Sequence, residues 1–195
     1  LNVSATPFRL YETNVLILRM GDGAQTLSLN GNSIFLDQFT PSGTYLNTVN
    51  IPDDGPGGMV AIGLNTVPGS ITGRSLSRSA DHRLLVIGAY YTNLTYGANL
   101  RDSVPADVPR VLAVINTFSQ YTLSVSNSDF AGYNQVYWRG GVTDNGTNFW
   151  GAANGTAGTY YFGYSTTPDT IQSTFGNVRS IAVFNGDIYL VSAVS

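Results

Sequence analysis

The chain contains no cysteine and no lysine, and only 11% of its 195 residues are charged. Without cysteine there is neither a disulfide framework nor a thiolate for metal binding or nucleophilic chemistry. All 9 cations are arginines, and they do not form the basic clusters that replace the counterions of a polyanion. We therefore expect no nucleic acid partner.

Long apolar runs are absent as well. Stretches such as Val15-Leu16-Ile17-Leu18 fall far short of the roughly 20 residues of a membrane-spanning helix, so no membrane span is expected. The chain starts at Leu1 with neither methionine nor an apolar leader. That start is typical of a mature exported protein, although a chain cut at an arbitrary point would look the same. We expect an extracellular or secreted protein.

The sequence has one histidine, His82, with Asp81 beside it and Ser77 and Ser79 nearby. A Ser-His-Asp triad also needs a strained nucleophile elbow and an oxyanion loop, and neither pattern accompanies these residues. His82 falls in a predicted hairpin turn, so we interpret it as a turn residue. No catalytic residue is predicted, and we expect no enzyme.

With so few nitrogen and sulfur ligands, only an oxygen site for Ca²⁺ is left to consider. Asp22, Asp53, Asp54 and Asp144 lie in glycine-rich turns, where aspartate is ordinary turn chemistry. None of them belongs to a spaced Asp-x-Asp-x-Asp-Gly ladder of ligands. We predict no metal site and no cofactor, with Ca²⁺ as a weak alternative.

Three segments of the chain align with one another: 73–89, 138–152 and 178–193. Each reads as an arginine, a short strand, a polar turn and a second apolar strand. A β-hairpin that recurs at wide spacing is typical of a blade-type array, because a single four-stranded blade cannot bury both of its faces. We find no helical periodicity and about thirteen strand patterns. The prediction is one all-β domain over 1–195, a β-propeller-like array of antiparallel meander blades with about three and a half blades.

Turn signals separate the predicted strands. Asn-Gly pairs begin at Asn30, Asn145, Asn154 and Asn185, and this pair favours the type I′ hairpin turn because both central residues need a positive φ. Strands are predicted over 84–90, 111–117 and 159–164, among others. The long irregular stretch 92–109 is predicted to project from one rim of the array, where binding surfaces are common.

Asp37, between Leu36 and Gln38 in an apolar strand pattern, is the one carboxylate predicted to point inward. A buried charge needs a partner, so an ion pair is favoured over half of a glycosidase pair. The candidate partners are Arg19, Arg74, Arg139 and Arg179. We expect the last three, one at the start of each repeat copy, to hold equivalent places and to bond carboxylates or backbone carbonyls.

Four N-glycosylation sequons begin at Asn2, Asn93, Asn145 and Asn154. All fall in predicted turns, loops or the terminus, so we expect them to be glycosylation candidates in an exported protein. Tyr91 and Tyr96 lie at the long irregular stretch and are the aromatic residues expected to be most exposed. Rings at such a rim are suited to stacking on sugars.

The run 14–23 ends in Gly21-Asp22-Gly23, and 34–44 begins with Ile34-Phe35-Leu36-Asp37-Gln38-Phe39. Together they resemble the opening of a family of secreted, largely uncharacterised β-propeller-like proteins. Segments 142–150 and 183–189 resemble that family's blade hairpins. The resemblance implies the fold but no activity, because the family offers no established catalytic residues. Its members are about twice as long, which implies that this chain corresponds to the N-terminal half of one.

The leading functional hypothesis is a secreted, non-enzymatic structural or adhesive glycoprotein that associates with other chains through exposed sheet edges and flat faces. The expected partner is another polypeptide that completes the propeller, or further copies of this chain, lying against 183–195. One alternative is a carbohydrate-binding module that uses rim aromatics. Another is a lyase or hydrolase of the propeller type.

Overall fold

A computed structural model describes residues 8–24, 26–63, 76–94, 96–128, 136–154, 158–163 and 169–193. In these ranges the chain forms thirteen strands and one short 3₁₀ turn, Leu100–Asp102, and no α-helix. The strands are β1 (Val15–Met20), β2 (Ile34–Phe39), β3 (Tyr45–Asn50), β4 (Leu76–Arg78), β5 (Leu84–Tyr90), β6 (Arg110–Asn116), β7 (Tyr121–Asn127), β8 (Trp138–Thr143), β9 (Phe149–Ala153), β10 (Thr159–Tyr161), β11 (Asp169–Gln172), β12 (Val178–Phe184) and β13 (Asp187–Ser192). The all-β prediction is confirmed. The described residues contain no helix that is long and apolar enough to cross a membrane.

The strands form four antiparallel sheets with the orders β1-β2-β3, β4-β5-β6-β7, β8-β9-β10-β11 and β12-β13. Strands that follow one another in the chain are neighbours in space, so every sheet is a meander. We refer to them as the first, second, third and last sheets. The last sheet is half as wide as the third, against which β12 packs through β8 and β9.

The Asn-Gly pairs do not all form the predicted turn. Asn185 and Gly186, between β12 and β13, have φ values of 51° and 86° and match the type I′ prediction. At Asn145 and Asn30 only the following glycine has a positive φ, so the type I′ prediction is wrong there. In the 143–148 loop the Asp144 carboxylate accepts hydrogen bonds from the backbone N–H groups of residues 145 and 148. A side-chain acceptor thus replaces the tight two-residue turn. The glycine of the Asn154 pair lies outside the described residues.

The central strands of the second sheet, β5 and β6, are largely buried on both faces, whereas β7 exposes one face. Successive residues of β6 alternate between two apolar clusters: Leu112 and Val114 pack toward the third sheet, while Ala113 and Ile115 pack toward the first. The two-residue period of a strand sends neighbouring side chains to opposite faces. Since both neighbours are apolar sheets, this strand reads as an almost continuous apolar run.

Glycines let the second and third sheets approach closely. A Cβ atom at Gly88 of β5 would collide with the Cα of Gly140 in β8 and would lie 3.1 Å from Nε1 of Trp138. That indole donates instead to the carbonyl of Val111, at 3.0 Å, and the Trp138 backbone N–H donates to the hydroxyl of Tyr90, also at 3.0 Å. The contact is therefore both close-packed and hydrogen-bonded.

The hairpin turns of these two sheets are also joined. The backbone N–H groups of Ala80 and Asp81 donate to the carbonyls of Thr143 and Asp144, at 3.1 and 3.0 Å. In addition, the Ser77 hydroxyl donates to the Gly141 carbonyl at 2.6 Å. The first strands of three successive sheets, β4, β8 and β12, contact one another.

The 92–109 stretch does not simply project from a rim, as the sequence predicted. Leu100 and Val108 are fully buried and belong to the cluster between the second and third sheets. The Leu100 backbone N–H donates to the carbonyl of Leu29, which ties the stretch to the segment between β1 and β2. The irregular stretch thus contributes two apolar residues to the core.

Replacing Gly88 by alanine should lower the free energy of unfolding by about 1–3 kcal/mol, because the added methyl group must push Gly140 away. Urea denaturation measures the difference. Gly97→Ala is the matched control, since no atom lies within 4 Å of the position that its added methyl group would take, and we expect a change below about 0.5 kcal/mol. Equal stability of the two variants would contradict the close contact.

Candidate functional site

The outward face of the last sheet carries exposed apolar side chains. Phe184, Tyr189 and Val191 are 62%, 53% and 61% exposed, and the first two rings meet edge to face with centres 6.3 Å apart. They alternate with Ile181, which is buried, and Leu190, which is half-buried. β13 pairs with β12 and with no other strand of the described residues.

The outer face of the first sheet is apolar as well, but an ion pair lies at its centre. Val15, Ile17 and Tyr45 are 47%, 48% and 55% exposed. Between them, Arg19 approaches Asp37 through two donors, with Nε–Oδ2 at 2.6 Å and Nη2–Oδ1 at 3.2 Å. The first and last sheets therefore both carry exposed apolar side chains on their outer faces.

Asp37 is structurally paired, as predicted. The whole residue is 7% exposed. Its carboxylate also accepts a 2.5 Å hydrogen bond from the Thr48 hydroxyl. The hydrogen bond from Arg19 and, with less effect, the one from Thr48 hold the pKa of Asp37 below its usual value against the opposing effect of burial. The guanidinium in turn lies 4.3 Å from the ring centre of Phe35. A carboxylate held in its ionised form is a poor proton donor.

Two of the three repeat arginines lie within the described residues, and Arg74 does not. Arg139 and Arg179 are each the second residue of the first strand of their sheet, β8 and β12. Arg139 is 4% exposed and donates to the amide oxygen of Asn177 at 3.4 Å. Burial, and then repulsion from Arg179, lowers the pKa of Arg139 to about 10. Arg139 thus bonds to a side-chain amide in Asn177, whereas the sequence predicted carboxylates or backbone carbonyls as acceptors.

Sequence reasoning missed Arg110, which is 1% exposed. Its guanidinium donates to the Ser103 hydroxyl and carbonyl, at 3.0 and 2.7 Å, and to the Val108 carbonyl at 2.6 Å. It also lies 4.8 Å from the ring centre of Tyr90. Burial lowers the pKa of Arg110 and raises that of Tyr90. The position of Arg110 directly before the apolar residues of β6 is the sequence feature that could have indicated its burial.

The sequons differ in accessibility. Asn93 and Asn145 are exposed, whereas Asn154 is half-buried. The Asn154 side-chain oxygen accepts a 2.6 Å hydrogen bond from the backbone N–H of Tyr137. Asn2 lies outside the described residues.

The predicted rim aromatics are not the most exposed tyrosines. Tyr91 and Tyr96 are both half-buried, and each packs against one of the two apolar clusters. Tyr11, Tyr45 and Tyr189 are more than half exposed. The exposure prediction is therefore wrong, because the stretch that carries Tyr96 folds back onto the core.

His82 occupies the β4–β5 turn with a φ of 64°, as its interpretation as a turn residue requires. Ser79 donates its hydroxyl to Asp81 rather than to the imidazole, at 2.6 Å. The same turn forms one wall of an open groove of about 300 Å³. The opposite wall comes from residues 10–16, and the groove brings together residues that are distant in the sequence.

Among the residues described, no three His, Cys, Asp or Glu side chains gather where they could hold a metal ion. The carboxylate oxygens of Asp144, which could have been cation ligands, already accept hydrogen bonds. One comes from the Asn148 side chain at 2.5 Å and another from the Asn148 backbone N–H.

Comparisons with family models, curated proteins and solved structures found no match to this chain.

Asp37 should give the protein a specific acid sensitivity. Because its folded-state pKa lies below the unfolded value of 3.8, its stabilisation is complete above that value and is lost as pH falls through the folded pKa. We expect the free energy of unfolding to fall less steeply between about pH 5 and pH 2 in Asp37→Asn than in the wild type. Asp107→Asn, an exposed site, should follow the wild type. Parallel wild-type and Asp37→Asn curves would contradict the assignment.

When the protein is secreted from eukaryotic cells, glycan should occupy Asn93 and Asn145 but not Asn154, because the first two are exposed and Asn154 is half-buried. Mass spectrometry before and after glycosidase treatment measures occupancy, with Asn93→Gln and Asn145→Gln as controls that each remove one glycan. Modified Asn154, or unmodified Asn93, would show that accessibility does not govern these sites.

Proposed function

We propose that this chain is a secreted, non-enzymatic β-propeller-like protein with a structural or adhesive role, which associates with other chains through the end sheets of its array. The observation that carries the proposal is the last sheet. In the described residues it is two strands wide, and Phe184, Tyr189 and Val191 lie exposed on its outer face, beside the edge of β13 that pairs with no other described strand.

The propeller-like arrangement is supported by the way the sheets follow one another. A β-sandwich has two sheets around one core, whereas here four meanders pack in series and the central strands of the second sheet contribute to two apolar clusters, one on each face. Contact between β4, β8 and β12 is what inner strands around a common axis would make. Each is the first strand of its sheet.

Association is supported by the chemistry of the two end faces. Burying apolar surface contributes about 25 cal/mol per Å², and an unpaired strand edge offers backbone donors and acceptors to another strand. We expect the partner to present β-structure, either as a separate polypeptide that extends the array or as another copy of this chain.

A non-enzymatic role is favoured by the placement of the two groups that most resembled catalytic residues. Asp37 is ionised and paired with Arg19. His82 lies in a turn whose serine bonds to Asp81. Neither has the neighbours of a general acid or of an activated nucleophile.

Carbohydrate binding is the second candidate, and one aromatic pair favours it. The rings of Trp150 and Tyr161 are half-buried, with centres 5.6 Å apart. The Tyr161 hydroxyl donates to the Asn148 side chain at 2.6 Å. A polar group beside two rings suits a sugar. A glycan array with wild type and Trp150→Ala tests this candidate, and no loss of signal in the variant would remove it.

The association proposal predicts a concentration-dependent mass above 20.8 kDa in analytical ultracentrifugation. The double variant Phe184→Ser/Val191→Ser should sediment as a monomer where the wild type associates, because each apolar side chain contributes about 1–3 kcal/mol when buried. Phe118→Ser is the control, since this phenylalanine is 56% exposed in the turn after β6. We expect it to associate like the wild type.

If the wild type is monodisperse at 20.8 kDa across the accessible concentration range and binds no other chain from its source, the proposal is wrong. Equal weakening by the control and by the double variant would show that association does not use the last sheet.

A further inference from the structure

The groove beside the β4–β5 turn has walls fixed by hydrogen bonds. On one side the Leu10 backbone N–H donates to the Thr117 carbonyl at 2.8 Å, and that of Tyr11 donates to the Gln38 side chain at 3.0 Å. On the other side, Asp81 holds the turn by accepting from Ser79 and from the Arg83 backbone N–H at 3.1 Å. A volume of about 300 Å³ is at the small end of the range for ligand pockets.

The floor of this groove is aliphatic. Six aliphatic residues line it, Leu10, Leu16, Leu76, Leu84, Leu85 and Ile115. They come from the entry to β1, from both strands of the β4–β5 hairpin and from β6. All but Leu84 belong to the cluster between the first and second sheets, whereas Leu84 packs on the opposite face of β5. Such a floor favours an apolar body over a sugar or a nucleotide.

The rim is cationic. Arg78, His82 and Arg83 line one side, and Glu12 is the only acidic side chain among the lining residues. Glu12 is already engaged with Arg78, 3.3 Å away, and Arg78 also donates through Nε and Nη2 to the His82 carbonyl, at 3.2 and 3.0 Å. Arg83 has no side-chain hydrogen bond or ion pair to any other described residue. The lining thus includes two guanidinium groups and one carboxylate, and that carboxylate is paired with Arg78.

We propose that this groove binds a small amphiphilic carboxylate, an apolar chain or ring that bears a single negative charge. The body would lie on the aliphatic floor and the carboxylate would bond to the Arg83 guanidinium at the rim. Arginine is suited to this role because its planar donors match a carboxylate through two parallel hydrogen bonds. A dianion fits less well, since the second arginine of the groove, Arg78, is already paired with Glu12.

The probe is decanoate below its micellar concentration, titrated against the wild-type chain by NMR. We expect saturable shifts at the amides of Leu10, Leu84 and Leu85, with a dissociation constant of about 0.1 to 1 mM. Decan-1-ol, which has the same chain without the charge, should bind about tenfold more weakly. This site is independent of the last sheet.

Arg83→Gln should weaken decanoate binding about tenfold while leaving decanol binding unchanged. Because Arg83 is exposed, this variant is expected to fold. Arg101→Gln, which removes an exposed arginine within the 3₁₀ turn and outside the groove, is the matched control and should bind like the wild type. Absence of saturable binding, equal affinity for decanol, shifts remote from the groove or equal effects of the two variants would each overturn the proposal.

Discussion

The contact between Gly88 and Gly140 is the constraint on which the arrangement of the sheets depends. With no side chain on either strand at this point, β5 and β8 lie close enough for Trp138 to reach both the Tyr90 hydroxyl and the Val111 carbonyl. The bonds between the turns at 80–81 and 143–144 fix a second point. Two fixed points set the orientation of the third sheet on the second, and the last sheet then packs on β8 and β9.

At the two buried cationic positions of the described residues, arginine is physically better suited than lysine. Arg110 and Arg139 are both buried, and each lies near an aromatic ring, that of Tyr90 for the first and Tyr137 for the second. A guanidinium is more weakly hydrated than an ammonium group, stacks on rings and spreads its donors over several acceptors. Burial lowers the pKa of both arginines. A lysine in either place would lose its proton much more readily, because its unperturbed pKa is about 10.4.

Local patterns were enough to predict the strands. The limits predicted for β5, 84–90, are those of the structure, and the Asn185-Gly186 turn has the dihedral angles that its residue types demand. Asp37 was also predicted correctly, because a carboxylate in an apolar strand has few options other than an ion pair. In each case the deciding information lies within a few residues of the chain.

The remaining features depend on which sheets meet. The strand pattern of β6 indicates that successive side chains point to opposite faces, but it does not indicate that another sheet packs on each face. The groove joins Leu10, Leu84 and Ile115, whose proximity no sequence window contains. Tyr96 was predicted to be exposed because it lies at the long irregular stretch, yet Leu100 of the same stretch is fully buried. The fold therefore followed from short-range signals, whereas the sites did not.

The arginine-only composition also affects how proteases would act on the folded chain. A protease with trypsin-like specificity cuts only after lysine or arginine and needs several residues of accessible backbone around the bond. Among the described arginines, only Arg9, Arg78, Arg83 and Arg101 are exposed. Arg110 and Arg139 lie in buried strands, where the ladder hydrogen bonds would have to open first. In the described part of the native chain, such an enzyme thus meets few cleavable bonds, and two of the four lie in the single hairpin β4–β5.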